Sequence, residues 1–324
     1  MMRPPFFSIV IPTHNRVAMV QRALRSVAAQ TFRNFEVVVV DDGCTDATPA
    51  FLETVRSSRC RVLRHERGLG VSAARNRGVA ASTGQFITFL DDDDELRPYA
   101  LEALHDRYQS NPQLDFLWGG RLIHEMDATE RNIGTREDDW RGLPATVSGA
   151  SFLNLVLEIA TNSAFTIRRT VFDAVGGFDE RLRKSEDRDL FIALARTGHT
   201  GAAVPRSIID VNEHGTSLSR GSGRRVGPEI DLSVIDKHRQ YLNLPEHRQF
   251  LDSYFVAVYE GFLEADNRGS AVRILGELRR RRALSVGLLR KYIRHAPEFR
   301  ALKALIRYDT IRRLKNNLRK ARAP

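Results

Sequence analysis

Two apolar runs near the start of the chain, "FFSIVIP" and "FEVVVVDDG", end at Pro12 and at Asp41-Asp42-Gly43, and the segment between them carries Val20, Leu24 and Val27 at helical spacing. Strand, amphipathic helix and strand in that order make a β-α-β unit. The alternation continues with a helix in "TDATPAFLETVRS", capped by Thr45 or Asp46, a strand at "CRVLRH", a helix at "VSAARNRGVAAS" and the strand "QFITFL". Strands that are apolar almost throughout must be buried on both faces, which a parallel sheet covered by its crossover helices achieves. The expectation is therefore an α/β fold with a Rossmann-like, mostly parallel sheet flanked by helices. Ligands of such sheets bind beyond the carboxyl ends of the strands. Asp41-Asp42 and Asp91 to Asp94 both lie at such ends and are expected to face one crevice.

Beyond Tyr99 the pattern predicts a helix, a strand at "LDFLWGGRLIHE", a polar stretch to about Trp140, a helix around "GASFLNLVLEIA" and a strand at "SAFTIRR". A turn at "VGGFDERL", a helix opening at "SEDRDLFIALARTG" and two strands, "HTGAAVP" and "SIIDVNEH", follow. From Glu229 the chain reads as helical to its end, with breaks near Pro245, Gly269 and Pro297. The expected division is a catalytic domain over 1–225, with halves of about 1–118 and 119–225, and a helical region over 226–324.

The net charge of +10 over 324 residues is unevenly placed. Residues 268–324 hold 18 Lys/Arg against 3 Asp/Glu, a balance of +15, which leaves −5 for residues 1–267. The basic character thus belongs to the tail, whereas a nucleic-acid binder more often carries it on the folded domain. Nucleic acid is not an expected partner. Two cysteines, Cys44 and Cys60, supply neither a disulfide framework nor zinc spacing, no signal-peptide pattern precedes the first strand, and no apolar run approaches the ~20 residues of a membrane span. A cytoplasmic protein is the expectation.

Four aspartates and a glutamate in "LDDDDELRP" raise a physical question, because like charges a few ångströms apart repel by about 1 kcal/mol per pair even in water. A solvated acidic turn is one answer and a bound cation another. Hard divalent ions are held by one or two carboxylates plus substrate phosphates. With the segment taken as extended, one of Asp91 and Asp93 is expected to face a nucleotide and the other a metal, while Asp92, Asp94 and Glu95 are expected to be solvated or to cap the helix near Pro98. A rival reading comes from "GLGVSA", where Gly68, Gly70 and Ala73 have the G-x-G-x-x-A spacing of a dinucleotide site, with Asp91 about twenty positions on. That reading is an NAD-dependent oxidoreductase. It is weakened by "RHER", which separates the apolar run from Gly68, and by the excess of acid where a pyrophosphate would lie.

Taken together, "FSIVIPTHNR", "VVVVDDGCTDAT", "GVSAARNRGVAASTGQFITFLDDDD" and "GGFDERLRKSEDRDLFIALARTG" resemble the successive signatures of the family 2 inverting glycosyltransferases of GT-A fold, over roughly residues 6–215. Four motifs in order are specific where one is weak. The resemblance implies transfer of a sugar from a nucleotide-diphosphate donor, usually a UDP-sugar, with manganese or magnesium as cofactor. It implies nucleotide contacts at Pro12, Thr13, Asn15, Arg16, Asp41, Asp42, Arg75, Asp91 and Asp92. It places the metal on Asp93, with His214 as a second ligand or an ordinary loop histidine, and the general base on Asp187, with Glu186 beside it. Read singly, Asp42-Gly43 is equally a turn, Arg75 a surface helical residue, and Glu186-Asp187 acids favoured at a helix start. Trp118, Gly119 and Gly120 either line a sugar pocket or belong to the core.

Arg188 stands where the family often has an aromatic residue, and no Q-x-x-R-W motif follows, which favours transfer of one sugar at a time over processive synthesis. In the tail, Leu305, Tyr308, Ile311, Leu314 and Leu318 recur at near-helical spacing among arginines and lysines. Such a helix either lies on an anionic membrane or packs on the catalytic domain. The expected partners are a nucleotide-sugar and a glycan or lipid-linked acceptor, met at the inner face of the cell membrane. Residues 119–165 and the stretch after His214 hold no motif that names the sugar, acceptor or linkage. A non-enzymatic membrane or nucleic-acid binder remains the alternative outside enzyme chemistry.

Overall fold

A computed structural model describes residues 4–127, 131–159, 163–213 and 227–283. One sheet runs in the order β3-β2-β1-β4-β8-β6-β9-β5, with β7 added on β6. Its strands are β1 (Phe7–Thr13), β2 (Phe35–Asp41), β3 (Cys60–Arg64), β4 (Phe86–Phe89), β5 (Glu95–Leu96), β6 (Phe116–Met126), β7 (Asn132–Asp138), β8 (Thr166–Arg168) and β9 (Gly201–Glu213). The first four are parallel to one another, with Phe7 opposite both Phe35 and Phe86. The second half adds antiparallel pairings through β8, β7 and β5 beside the parallel pair β6 and β9. The helices α1 (Val17–Ala28), α2 (Thr48–Val55) and α3 (Val71–Ala81) fall in the crossovers where the apolar spacing put them.

Side chains alternate across the sheet, as strand geometry requires. Phe7, Ile9 and Ile11 join the core beneath α1 and α4 (Ala100–Ser110), whereas Val10 joins the opposite core. That second core holds Phe116, Trp118 and Phe152 together with Phe191 of α7 (Glu186–Arg196), and it continues into Val234, Tyr254, Phe262 and Leu278. These last residues come from α8 (Gly227–Lys237), α10 (Arg248–Glu264) and α11 (Arg268–Arg280), linked by α9 (Arg239–Leu242) and a 3₁₀ turn at Pro245–His247. The C-terminal helices and the sheet therefore share one apolar core. Among the described residues no helix is long and apolar enough to cross a membrane.

Several boundaries differ from the sequence expectation. "HTGAAVP" and "SIIDVNEH" form one strand, β9, because Pro205 and Arg206 bulge out and the register on β6 jumps from Gly119↔Val204 to Gly120↔Ser207. A proline without an N–H is tolerated at such a bulge. The polar stretch after β6 folds back as the hairpin strand β7, exposed along most of its length and thus without an apolar signature. The helix expected around residues 149–160 is only α5 (Gly149–Leu153), and α6 (Arg169–Val175) was not expected. At the start of α2 the N-cap is Ala47; Asp46 accepts from the Thr48 N–H at 3.0 Å instead. The break placed near Gly269 lies at 265–267, where Asp266 has φ +53°, and Gly269 is in the first turn of α11. His214, Pro297 and the basic amphipathic tail lie outside the described residues.

Candidate active site

The carboxyl ends of β1, β2 and β4 bring the expected residues together. Pro12 is buried within β1 opposite Val40, and Thr13 ends the strand with its hydroxyl donating to Asp92 Oδ2 at 2.7 Å. Asn15, in a left-handed conformation at φ +54°, accepts at Oδ1 from the backbone N–H of Thr45 at 2.7 Å and of Asp46 at 3.3 Å, which ties the first strand end to the second. Arg16 donates from Nη1 to Asp92 Oδ1 and Asp93 Oδ2, each at 3.1 Å. Burial disfavours the Arg16 charge, but Asp92 and Asp93 outweigh it and raise its pKa.

At the end of β2 the two aspartates divide their work. Asp41 is buried and accepts from the Cys44 N–H at 2.7 Å, with Arg64 Nε 3.5 Å from its second oxygen. The turn between them needs Gly43, at φ +72°, where a Cβ would stand 2.4 Å from the Arg67 carbonyl carbon. Asp42 is turned the other way. Its carboxylate accepts from Leu69 N–H at 2.9 Å, Gly70 N–H at 2.8 Å and His65 Nδ1 at 2.6 Å. Burial pushes the Asp42 pKa up, but these bonds outweigh it and hold the group below the usual carboxylate range. Asp42 therefore anchors the Gly68–Gly70 loop. Two backbone amides of that loop, those of Leu69 and Gly70, are thus occupied by a carboxylate where a dinucleotide pyrophosphate would have to dock, which counts against the oxidoreductase reading.

The acidic run after β4 is arranged differently from the expectation. Asp92 and Asp94 are the buried members, whereas Asp91 and Asp93 keep side-chain exposures of 28% and 19%. None of them caps a helix, since α4 starts at Ala100 after Tyr99. Burial pushes Asp92 up to about 6, with Arg16 opposing and Asp93 adding to it. Asp94 is held well above the carboxylate range by burial and then by Asp93 and Asp91. Oxygens of Asp91, Asp93 and Asp94 lie within 4.8 Å of one another. An all-carboxylate set of this size suits a hard divalent ion. Ser163, whose hydroxyl accepts from the Asp91 N–H at 3.0 Å, and Asn212, which donates to the Asp93 carbonyl at 3.0 Å, brace the loop from the turn before β8 and from β9. Neither had a sequence signal. Asp94 is visible in the sequence as a carboxylate, but its spacing suggests a solvated or helix-capping residue.

Arg75 joins this cluster to the N-terminus of α7. Only 3% exposed, it donates from Nη2 to Asp91 Oδ1 at 2.5 Å and from Nη1 to Glu186 Oε1 at 2.7 Å, above the ring of Phe178. Burial opposes its charge, yet Asp91 and Glu186 raise its pKa. Glu186 is buried too, and its pKa is raised by burial, with Arg75 opposing and Asp187 adding. Asp187, next in the helix, is half-buried and accepts from the Arg188 N–H at 2.7 Å. Three acids in the first turn of α7 face the positive end of the helix dipole.

Trp118 belongs to the core, packed on Phe116, Trp140 and Phe152. Gly119 and Gly120 serve the β9 bulge: a Cβ would stand 2.1 Å from Ile208 Cγ1 at the first and 2.7 Å from the Arg206 carbonyl oxygen at the second. Arg188 turns away from the crevice toward Asp231 and Tyr254.

A family model described as "Glycosyl transferase family 2" matches residues 8–176. A Haemophilus influenzae protein named "Uncharacterized glycosyltransferase" is 31% identical over 187 residues, 58% of this chain and 61% of the relative. The Campylobacter jejuni "GalNAc(5)-diNAcBac-PP-undecaprenol beta-1,3-glucosyltransferase" is 32% identical over 124 residues, 37% of this chain and 40% of the relative. These matches thus span less than two thirds of either relative's length. Among solved structures, S. aureus TarS 1-349 in complex with UDP-GlcNAc superposes with a TM-score of 0.65 at 21% identity, covering 84% of this chain and 80% of that one. The fold is the one the sequence pattern led to, a GT-A α/β fold with C-terminal helices.

Proposed function

The chain belongs to glycosyl transferase family 2, and from that premise we propose that it transfers one sugar residue from a UDP-sugar to a hydroxyl of a glycan or lipid-linked acceptor, with inversion, in the synthesis of a cell-surface polysaccharide or glycoconjugate. The observation that carries this reading is the buried Arg75 guanidinium, which binds Asp91 on the donor side and Glu186 on the helix that carries Asp187. One cation thereby fixes the acidic loop and the base helix relative to each other across the ends of β1, β2 and β4. The TarS complex with UDP-GlcNAc supports a uridine donor, and the undecaprenol named for the Campylobacter relative supports a lipid-linked acceptor.

In the proposed reaction Asp187 takes the proton of the acceptor hydroxyl. The oxygen bonds to the anomeric carbon from the side opposite the nucleotide, and the bond from that carbon to the diphosphate oxygen breaks. Asp41, at the end of β2, is the residue expected to contact the nucleotide. Arg75 and Arg16 keep positive charge beside the acidic loop, and the fixed strand ends orient donor against acceptor. Asp93, with Asp91 and Asp94, would hold a manganese or magnesium ion, which when bound supplies positive charge to the departing diphosphate. We further propose a catalytic unit over 1–225 with a helical region over 226–324, acting at the inner face of the membrane.

The deciding experiment is thermal stabilisation and UDP release across UDP-glucose, UDP-N-acetylglucosamine and UDP-galactose, with manganese, beside GDP-mannose and NAD. Stabilisation by UDP, with UDP release from at least one donor, is the expected result. Stabilisation by NAD alone would reverse the reading.

A further inference from the structure

Ser185 is an outlier at the point where the base helix begins. It occupies the N-cap of α7, the position serine favours for capping, yet its side chain makes no cap bond and its backbone is left-handed at φ +59°. Both features oppose local preference, and a non-glycine residue keeps them only when its surroundings hold it there. The holding group is Asp231 on α8. Its Oδ1 accepts from Ser185 Oγ at 2.7 Å, from Arg188 Nη1 at 2.7 Å and from Tyr254 OH of α10 at 2.9 Å. Arg188 also lies over the Tyr254 ring at 5.6 Å. Asp231, Ser185 and Tyr254 are all buried.

We infer that Asp231 is a positioning residue for the transfer reaction: a carboxylate of the C-terminal helices that sets the first turn of α7 and so aims Asp187. Asp187 itself is flanked by the two partners. Ser185 precedes it by two positions, and the backbone N–H of Arg188 bonds its Oδ1. A second contact holds the same turn, where Asp189 accepts from Lys237 Nζ at 2.7 Å at the end of α8 and pairs with His238 Nε2 just beyond it at 2.8 Å. The arginine that departs from the family's usual aromatic after the acidic pair is accounted for by this link, to which it brings a charged donor opposite the Asp231 carboxylate. The helical region is thereby part of the catalytic apparatus, which a reading of residues 8–176 alone would miss.

This role rests on the proposed transfer with Asp187 as base, and the test separates the two. Wild type, Asp231→Val, Asp231→Asn, Arg188→Met and the double variant Asp231→Val/Arg188→Met are compared by UDP-binding stoichiometry and by steady-state UDP release from the active donor with water as acceptor. Misaiming a reacting group by about 1 Å costs up to about 10²-fold, so Asp231→Val and Arg188→Met are each expected to lower kcat per UDP-binding site about tenfold or more, with donor KM within about twofold. Asp231→Asn, which still offers an oxygen to Ser185 and Tyr254, falls between them and wild type. The double variant is expected to be no slower than the slower single one, because both act through one contact. Loss of folded protein would lower binding stoichiometry as well, which normalisation per site removes, and Arg188→Met decides alone if Asp231→Val does not fold. Single-variant kcat within about twofold of wild type, or losses that multiply in the double variant, overturn the role. A wild type that releases no UDP from any donor overturns the transfer reading and this role with it.

Discussion

Replacing Arg75 by methionine keeps most of the side-chain volume and removes only the charge that Asp91 and Glu186 share. The two carboxylates respond differently. Asp91 keeps 28% of its side chain in solvent, so its lost pair falls in the surface range of about 0–1 kcal/mol. Glu186 is buried and has two outlets. It can stay ionised without its partner, at about 3–5 kcal/mol, or take up a proton. At pH 7 protonating an ordinary glutamate costs about 3.5 kcal/mol, from about 2.5 pH units at 1.36 kcal/mol each. The cheaper outlet sets the ceiling, and the variant is expected to lose about 3–4 kcal/mol at pH 7. In the variant the Glu186 pKa lies above its unfolded value, so the folded state binds the extra proton. That contribution is present below the ordinary carboxylate range and is lost as pH rises through the folded pKa, so the deficit shrinks on acidification. At pH 5 about 1 kcal/mol should remain. With a urea slope of about 3 kcal/mol/M, the midpoint of the variant lies about 1 M below wild type at pH 7 and about 0.3 M below at pH 5. Equal deficits at the two pH values would refute the charge argument. A deficit under about 0.3 M at pH 7 would refute the burial of the pair.

Asp187→Asn should lower turnover by about 10²–10⁴-fold while UDP binds as in wild type; near-normal turnover in the folded variant would remove Asp187 as the base. Chelator is expected to abolish UDP release, with manganese or magnesium restoring it, and Asp93→Asn to need at least about tenfold more manganese for half-maximal rate. Full activity in chelator would sink the metal reading. Gly78→Ala sets two effects against each other: alanine favours the helix by about 1 kcal/mol, but its Cβ would stand 2.4 Å from Val10 Cγ1 where α3 packs on β1, an overpacking worth about 1–3 kcal/mol. A lower melting temperature is the expected outcome, and an unchanged or higher one would show that α3 can lift off the strand at no cost.

The first half of the fold was legible because its physics is local. "VVVV" in β2 and the spacing of Val20, Leu24 and Val27 in α1 report burial on both faces of a strand and one face of a helix. The second half follows non-local rules. β7 carries no apolar pattern since both its faces are largely exposed and its order comes from β6, and β9 continues through Pro205 only because Gly119 and Gly120 leave room for the bulge. Within the site, residue types could be read but not their orientation. Asp42 was visible as an acid after β2, yet nothing local says that it turns back onto the Leu69 and Gly70 amides. Ser163 and Asn212 are common polar residues whose role depends on strands that arrive from 72 and 119 positions away.

The run of aspartates shows why charge spacing alone misplaced Asp92 and Asp94. Reading the segment as extended divides Asp91 and Asp93 between nucleotide and metal and leaves Asp92 and Asp94 to solvent or a helix cap. The segment is a turn instead, closed by the Asp94 N–H on the Asp91 carbonyl at 3.2 Å. That turn brings Asp94 back beside Asp91 and Asp93 and drives Asp92 inward to Thr13 and Arg16. Repulsion within the run is met by two guanidinium groups placed on either side, Arg16 against Asp92 and Asp93 and Arg75 against Asp91. Neither arginine reaches Asp94, which is held well above the carboxylate range first by its burial and then by the charges of Asp93 and Asp91. A divalent ion among these three carboxylates would reverse that balance, since added positive charge favours the ionised form of each. The protein's own arginines therefore stabilise the rim of the cluster, and its centre is left as the place where an added cation gains most.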